Sequence, residues 1–218
     1  MGRPKKALIT REKTLAAALK IVDEEGLDAL SIRRLGRALN VQGISLYHHF
    51  KSKDEILAAV CGYALAAVRT PNSPDGDWRE WLLQNVMRYR RALHEHPNLI
   101  PALMRRHPLR IGLAEHNATA GMLAVQGVPP ELVMPLVEAL EELALGSASY
   151  QSAVDNDPHA EKWRTQYPYL YHLSKKTTLT KSQLFLLTAR ATIDAIMSQE
   201  LRDAAIRDCA KFPHEFEF

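Results

Sequence analysis

The residues with chemistry to offer cluster early in the chain. Within SIRRLGRALNVQGISLYHHFKSK, residues 31–53, stand Arg33, Arg34, Arg37, Gln42, Ser45, Tyr47, His48, His49 and Lys53. Guanidinium and ammonium groups bind phosphates, and Arg, Gln and Ser also hydrogen-bond base edges in a major groove. This set therefore suits recognition of a polyanion. No nucleophile–base pair accompanies it, so no catalytic residue and no enzyme activity is expected. Four more histidines, His94, His96, His107 and His116, raise the question of a metal. His94 and His96 are two residues apart and point to different faces of a helix, and no carboxylate or thiolate completes a set at ligand spacing. They are read as unligated, with no metal and no cofactor.

The cluster needs elements to hold it. Thr10 is a suitable N-cap for a helix running to Glu25, with Leu15, Leu19 and Val22 on one stripe and Gly26 after its end. Ser31 caps a second helix in which Ile32, Leu35 and Leu39 face inward, and Asn40 can take the left-handed conformation that ends it. Val41–Gly43 is a short break before a third helix at about 44–50, and Ser52 caps a fourth that continues towards Val68. Two short helices across a tight break fit a helix-turn-helix, whose second helix enters the major groove N-terminus first. Gln42, Gly43, Ile44 and Ser45 then meet base edges. Gly43 allows close approach, and Ile44 suits a thymine methyl. Tyr47, His48, His49 and Lys53 reach phosphates, and Arg33 reaches a phosphate or a guanine. The same pattern also fits an ordinary packed helix pair with solvated arginines.

Charge distribution bears on that choice. The chain carries 28 Lys+Arg against 25 Asp+Glu, a net +3. Residues 1–55 alone hold 11 and 7 of these, so the excess lies where the reading elements are. The two cysteines, Cys61 and Cys209, form no CxxC pair and suit a reducing cytoplasm. The longest uncharged apolar run, residues 56–68, is shorter than the ~20 residues a bilayer requires, so no membrane association is expected.

VQGISLYHHFKSKDEIL, residues 41–57, resembles the signature of the TetR family of transcriptional regulators, as does the preceding GLDALSIRRLGRALN. Leu46, Tyr47, His49, Phe50, Lys53 and Leu57 stand at the signature places. Asn40 stands where Gly is usual, and Gln42 where Ser often caps the recognition helix. The resemblance implies that Arg33, Gln42, Gly43, Ile44, Ser45 and Tyr47 face DNA. His49 and Lys53 would touch phosphates, with His48 near the backbone, and Leu46 and Phe50 would be core. The basic arm GRPKK resembles arms that enter a minor groove, and reads equally as a solvated tail.

The implied architecture is all-α: a DNA-binding helix-turn-helix domain over residues 1–57, and a ligand-binding and dimerisation domain over 58–218. Residues 78–96, with Trp78, Trp81, Leu82, Asn85, Tyr89 and His96, resemble a pocket helix of the tetracycline-repressor branch. Asn85 and Tyr89 would line the pocket, one turn apart. The branch's magnesium-binding histidine falls on Leu103 and a second drug-contacting histidine on Arg69, which argues against a magnesium–tetracycline ligand. A different small-molecule inducer is expected, with Met87, Leu103, Met104, His107 and Met122 as further walls. Each of these fits an ordinary core just as well.

Helices at 131–154 and 181–210 are the expected dimer elements. On the latter, Leu186, Ile193 and Met197 form one stripe, and Leu184, Leu187, Ala191 and Ala195 another. The family implies a homodimer on a pseudo-palindromic operator, with repression relieved when ligand shifts helix four and respaces the recognition helices. The alternative is a DNA-binding regulator without an inducer, switched by a protein partner. For that, the insert at 155–173, with Trp163, Tyr167, Tyr169 and Tyr171, supplies either a surface or a pocket lid.

Overall fold

The computed structural model describes residues 10–47, 50–66, 76–105, 113–155, 163–174, 176 and 178–209. Every regular element among them is helical: α1 (Arg11–Glu25), α2 (Ile32–Ala38), α3 (Ile44–Tyr47), α4 (Lys53–Leu65), α5 (Trp78–Glu95), α6 (Ile100–Arg105), α7 (Leu113–Val125), α8 (Pro130–Asp155), α9 (Trp163–Gln166), α10 (Pro168–Ser174), α11 (Lys181–Met197) and α12 (Gln199–Cys209), with single tight turns at Leu27–Ala29 and Pro97–Leu99. No helix among the described residues is long and apolar enough to cross a membrane.

Local chemistry sets the ends of these helices. Thr10, Ser31, Ser52 and Thr180 each accept a hydrogen bond from the backbone N–H three residues on. Each satisfies a donor that the first helical turn would otherwise leave bare. At Thr180 the cap is reciprocal, since Gln183 reaches back to the Thr180 N–H. Asn40 takes φ +53°, so the Val41 N–H bonds the Gly36 carbonyl at 2.9 Å and the Asn40 N–H bonds that of Arg37 at 3.2 Å. This closes α2 as the sequence leads one to expect of a left-handed cap.

The chain forms two compact units. The first comprises residues 1–69 and 91–116, the second 70–90 and 117–218, and α5 contributes to both. In the first, α1 packs on α2, on α4 and on the turn 97–99. Its buried side chains include Leu15, Ile21, Val22, Leu30, Leu35, Leu46, Phe50, Ile56 and Val60, with Leu93, Leu99 and Leu103 from the later segment. In the second, α8 packs on α11 over a core including Leu136, Leu140, Ala144, Phe185, Ala189 and Ile193. Arg90 is buried among these elements. Its Nε donates to Ser147 Oγ at 2.9 Å, and its guanidinium lies 5.0 Å from the Phe185 ring centre.

Two expectations need correction. The helix anticipated over 181–210 is two helices. Ser198 is extended (φ −82°, ψ 116°) and accepts the Leu201 N–H at 3.3 Å, while Arg202 Nη1 donates to the Ile196 carbonyl at 2.5 Å. A hydroxyl cap and a guanidinium on the preceding helix's last carbonyls make the break. Second, the core stripe of α11 is Phe185, Ala189 and Ile193, whereas Leu186 is exposed. Spacing of i, i+4, i+8 decides the buried face here, and apolarity alone does not distinguish Leu186 from it. The insert at 155–173 carries the short helix α9 and all but the last residue of α10.

Candidate nucleic-acid interface

The turn between α2 and α3 explains why both helices can be so short. Gly36 is buried in α2, and a Cβ there would stand 3.0 Å from the Val41 carbonyl oxygen and 3.5 Å from the Gly43 nitrogen. The bare backbone of α2 therefore packs directly on the turn, which fixes the angle at which α3 leaves it. Gly43 is constrained too. A Cβ at that position would meet Ile32 Cγ2 at 3.2 Å, so packing beneath the turn, as well as approach from outside, favours glycine there. Gly36 was not picked out by sequence reasoning. Its signal is a lone small residue on the inward side of an arginine-rich helix.

Leu46 and Phe50 are fully buried and anchor α3 from beneath. Tyr47, between them in sequence, is 57% exposed. Gln42 is exposed, and Gly43 and Ser45 are half-buried at the helix start. The expected outward and inward residues of this segment thus separate by face. Ile44 lies in α3, but its side chain lies outside the described set, as do His48, His49 and the basic arm 1–9. Lys53 is exposed at the first turn of α4, where Ser52 caps the helix and Glu55 accepts the Lys51 N–H at 2.7 Å. The cap and the first-turn carboxylates of Asp54 and Glu55 already compensate this terminus, so the exposed ammonium of Lys53 is what it offers to an anion.

The α2 arginines differ in availability. Arg34 Nε donates to Glu25 Oε2 at 3.0 Å, and its Nη2 pairs with the other carboxylate oxygen of Glu25. That two-point bond holds the Glu25 carboxyl below its ordinary range and raises the Arg34 guanidinium. It also ties the end of α1 to α2. Arg33 and Arg37 are exposed, with no ion pair among the described residues. Arg11, at the start of α1, lies over the Phe50 ring at 4.9 Å from its centre.

The residues expected around a ligand are distributed between the units. Asn85, Met87 and Tyr89 are half-buried in the part of α5 that belongs to the second unit, and Met122 is half-buried in α7 of the same unit. Asn85 and Tyr89 share a face of α5, and Met87, two residues from each, turns away from it. Leu103 and Met104 belong to the first unit, where Leu103 is buried in the core and Met104 is exposed. His107 lies outside the described residues. Among the described residues no three His, Cys, Asp or Glu side chains are grouped to hold a metal.

Comparison with known proteins bears on both units. Residues 15–60 match the model of bacterial regulatory proteins of the tetR family, and residues 70–189 match that of the tetracyclin repressor-like C-terminal domain. A helix-turn-helix transcriptional regulator of Saccharopolyspora erythraea is 30% identical over 149 residues, which cover 67% of this chain and 63% of that protein. The class C tetracycline repressor protein of Escherichia coli is 38% identical over 87 residues, 39% of this chain and 40% of the repressor. The chain thus spans less than two thirds of the length of these curated relatives. Among solved structures, ActR of Streptomyces coelicolor in complex with actinorhodin superposes with a TM-score of 0.71 at 29% identity, covering 88% of this chain and 98% of ActR.

Proposed function

Since the chain belongs to the TetR family of bacterial regulatory proteins, a family of regulators and not of enzymes, we propose that it is a homodimeric repressor that leaves its operator when a small molecule binds the second unit. One observation carries the DNA-reading part. At and around the one-turn helix α3, Leu46 and Phe50 are completely buried while Tyr47 and Gln42 are presented to solvent, beside exposed Arg33 and Lys53. An ordinary packed pair has no need of an outward aromatic between two inward anchors. Arg33, Gln42, Gly43, Ile44 and Ser45 meet bases. Tyr47, His48, His49 and Lys53 meet phosphates. Asn85 and Tyr89 on α5, with Met87 and Met122 of the same unit, are the residues to test for the inducer; Leu103, Met104 and His107, expected with them from sequence, belong to the first unit. The nature of that inducer is suggested by ActR, which holds actinorhodin, and the absence of histidine at 69 and 103 speaks against a magnesium–tetracycline complex.

Exposed Tyr169 (84%) and Leu173 on α10 favour a second reading, in which a protein partner and not a small molecule switches the DNA reader. A titration followed by fluorescence anisotropy tests the main one. The probe is duplex DNA from immediately upstream of the gene, with a scrambled duplex as control, at two salt concentrations. Specific binding is expected, with log K falling against log salt by about 0.9 per phosphate contacted. Arg33→Ala should weaken it by about 1–3 kcal/mol and relax sequence preference. Equal affinity for the scrambled duplex would overturn the assignment of this duplex as operator. Loss of binding on addition of actinorhodin or a related polycycle, and derepression of a reporter, would support release by ligand; release only by a purified protein would favour the second reading.

A further inference from the structure

The C-terminus of α1 is held by residues that lie far along the chain. The His96 Nδ1 stands 2.9 and 3.1 Å from the two carboxylate oxygens of Asp23. An ionised carboxylate only accepts, so the imidazole nitrogen carries the proton and donates. Two residues on, Asn98 Nδ2 donates to the carbonyls of Val22 (2.9 Å) and Asp23 (3.1 Å). The Val22 carbonyl also accepts the Gly26 N–H, whereas that of Asp23 is among the last carbonyls a helix leaves without a helical partner, and the side-chain amide supplies one. Both side chains of the Asp23–His96 pair are largely shielded, at 30% and 23% exposure.

These contacts join two functional stretches. His96 precedes the turn Pro97–Leu99 and Asn98 lies within it; the turn runs straight into α6, which carries Leu103 and Met104. On the other side, Glu25 is two residues past Asp23 and holds Arg34 of α2, next to Arg33. We propose that His96 and Asn98 are positioning residues coupling the start of α6 to the operator-reading pair α2–α3 through the C-terminus of α1, by a path that does not run through α4. The coupling deepens the DNA-reading proposal and rests on it for its purpose. Displacing the start of α6 drags or releases the last turn of α1, and with it the Glu25 anchor of α2. By linkage, DNA on α2–α3 must alter the stability of the 96–103 segment by the same free energy.

Hydrogen exchange of the full chain tests this, in wild type, Asn98→Ala, His96→Ala and His96→Gln, the last retaining an N–H donor. In the free protein, Asn98→Ala and His96→Ala should each speed exchange over 32–39 by about three- to tenfold, the span of one lost hydrogen bond, with α8 and α11 unchanged. His96→Gln should restore part of the protection. With the duplex added, wild type should change exchange at 96–103, and Asn98→Ala should bind the duplex but lose that response. Unchanged exchange over 32–39 in the alanine variants, or an equal rise in α8 and α11, overturns the coupling. A response over 32–39 in a protein that binds no duplex specifically would instead keep the coupling and overturn the DNA-reading function.

Discussion

Arg34 is already committed to Glu25, so its guanidinium serves the fold, and the exposed Arg33 beside it is left for the proposed DNA contact. The pair has a pH signature. Arg34's hydrogen bond lowers the folded-state pKa of Glu25, so the stabilisation is fully present above the ordinary Glu value of about 4.3 and is lost as pH falls through the lower folded value. Glu25→Gln should therefore melt below wild type at neutral pH, and the two melting curves should converge in acid as pH falls through the lowered Glu25 value. A gap that persists unchanged at pH 3 would assign the effect to something other than the charge. Gly36 makes a different kind of demand. Its Cβ would press on the Val41 carbonyl, a backbone atom whose movement would disturb the bond that closes α2. Gly36→Ala should destabilise by about 1–3 kcal/mol, as overpacking does, although alanine is the better helix former. Calorimetry would read this, and a melting temperature at or above wild type would show that the turn has room to relax.

At the scale of elements, the caps are individually weak and together decide where each helix stops. Ser198→Ala removes the acceptor for the Leu201 N–H and should loosen the first turn of α12 by about 1 kcal/mol, seen as faster amide exchange confined to residues 199–203. Equal exchange there would mean that Arg202, bonded to the Ile196 carbonyl, holds the break by itself. This break also marks a boundary of what the sequence reveals. Thr10, Ser31, Asn40 and Ser52 are legible because each stands where an apolar period begins or ends. Ser198 follows Ala195, Ile196 and Met197 and is followed by Gln199 and Glu200, residues that continue a helix well and include no Gly or Pro, so nothing beside it announces a stop. The inward Leu46 and Phe50 and the outward Tyr47 are legible from the helix-turn-helix pattern. The Glu25–Arg34 bond and the grip of His96 and Asn98 on α1 are not, because they join residues whose approach depends on packing that spacing does not encode. Likewise, Leu186 and Phe185 are both apolar, and only the face that α8 covers separates them.

At the scale of the whole molecule, the proposed reader needs a second copy, since a one-turn recognition helix buries too little to hold DNA selectively by itself. The second unit offers a surface for it. On α11, Leu184 (51% exposed) and Leu187 (56%) point away from the Phe185–Ala189–Ile193 face that packs on α8, and Tyr150 is exposed on α8. Large apolar side chains grouped on one helix and left in water mark a place for a partner. Because these leucines are exposed within the single chain, Leu184→Asp with Leu187→Asp should leave its core intact and set aspartates against their symmetry mates in a two-fold pair. Light scattering should then report a single chain where wild type gives two, with an unchanged helical spectrum. Operator affinity should fall by about 10²–10⁴, the gain that linking two sites gives, while the variant's residual binding loses its dependence on half-site spacing. A double variant that stays dimeric would move the interface elsewhere. One that turns monomeric yet keeps full affinity would show that a single helix pair suffices, and the two-fold operator would go with it.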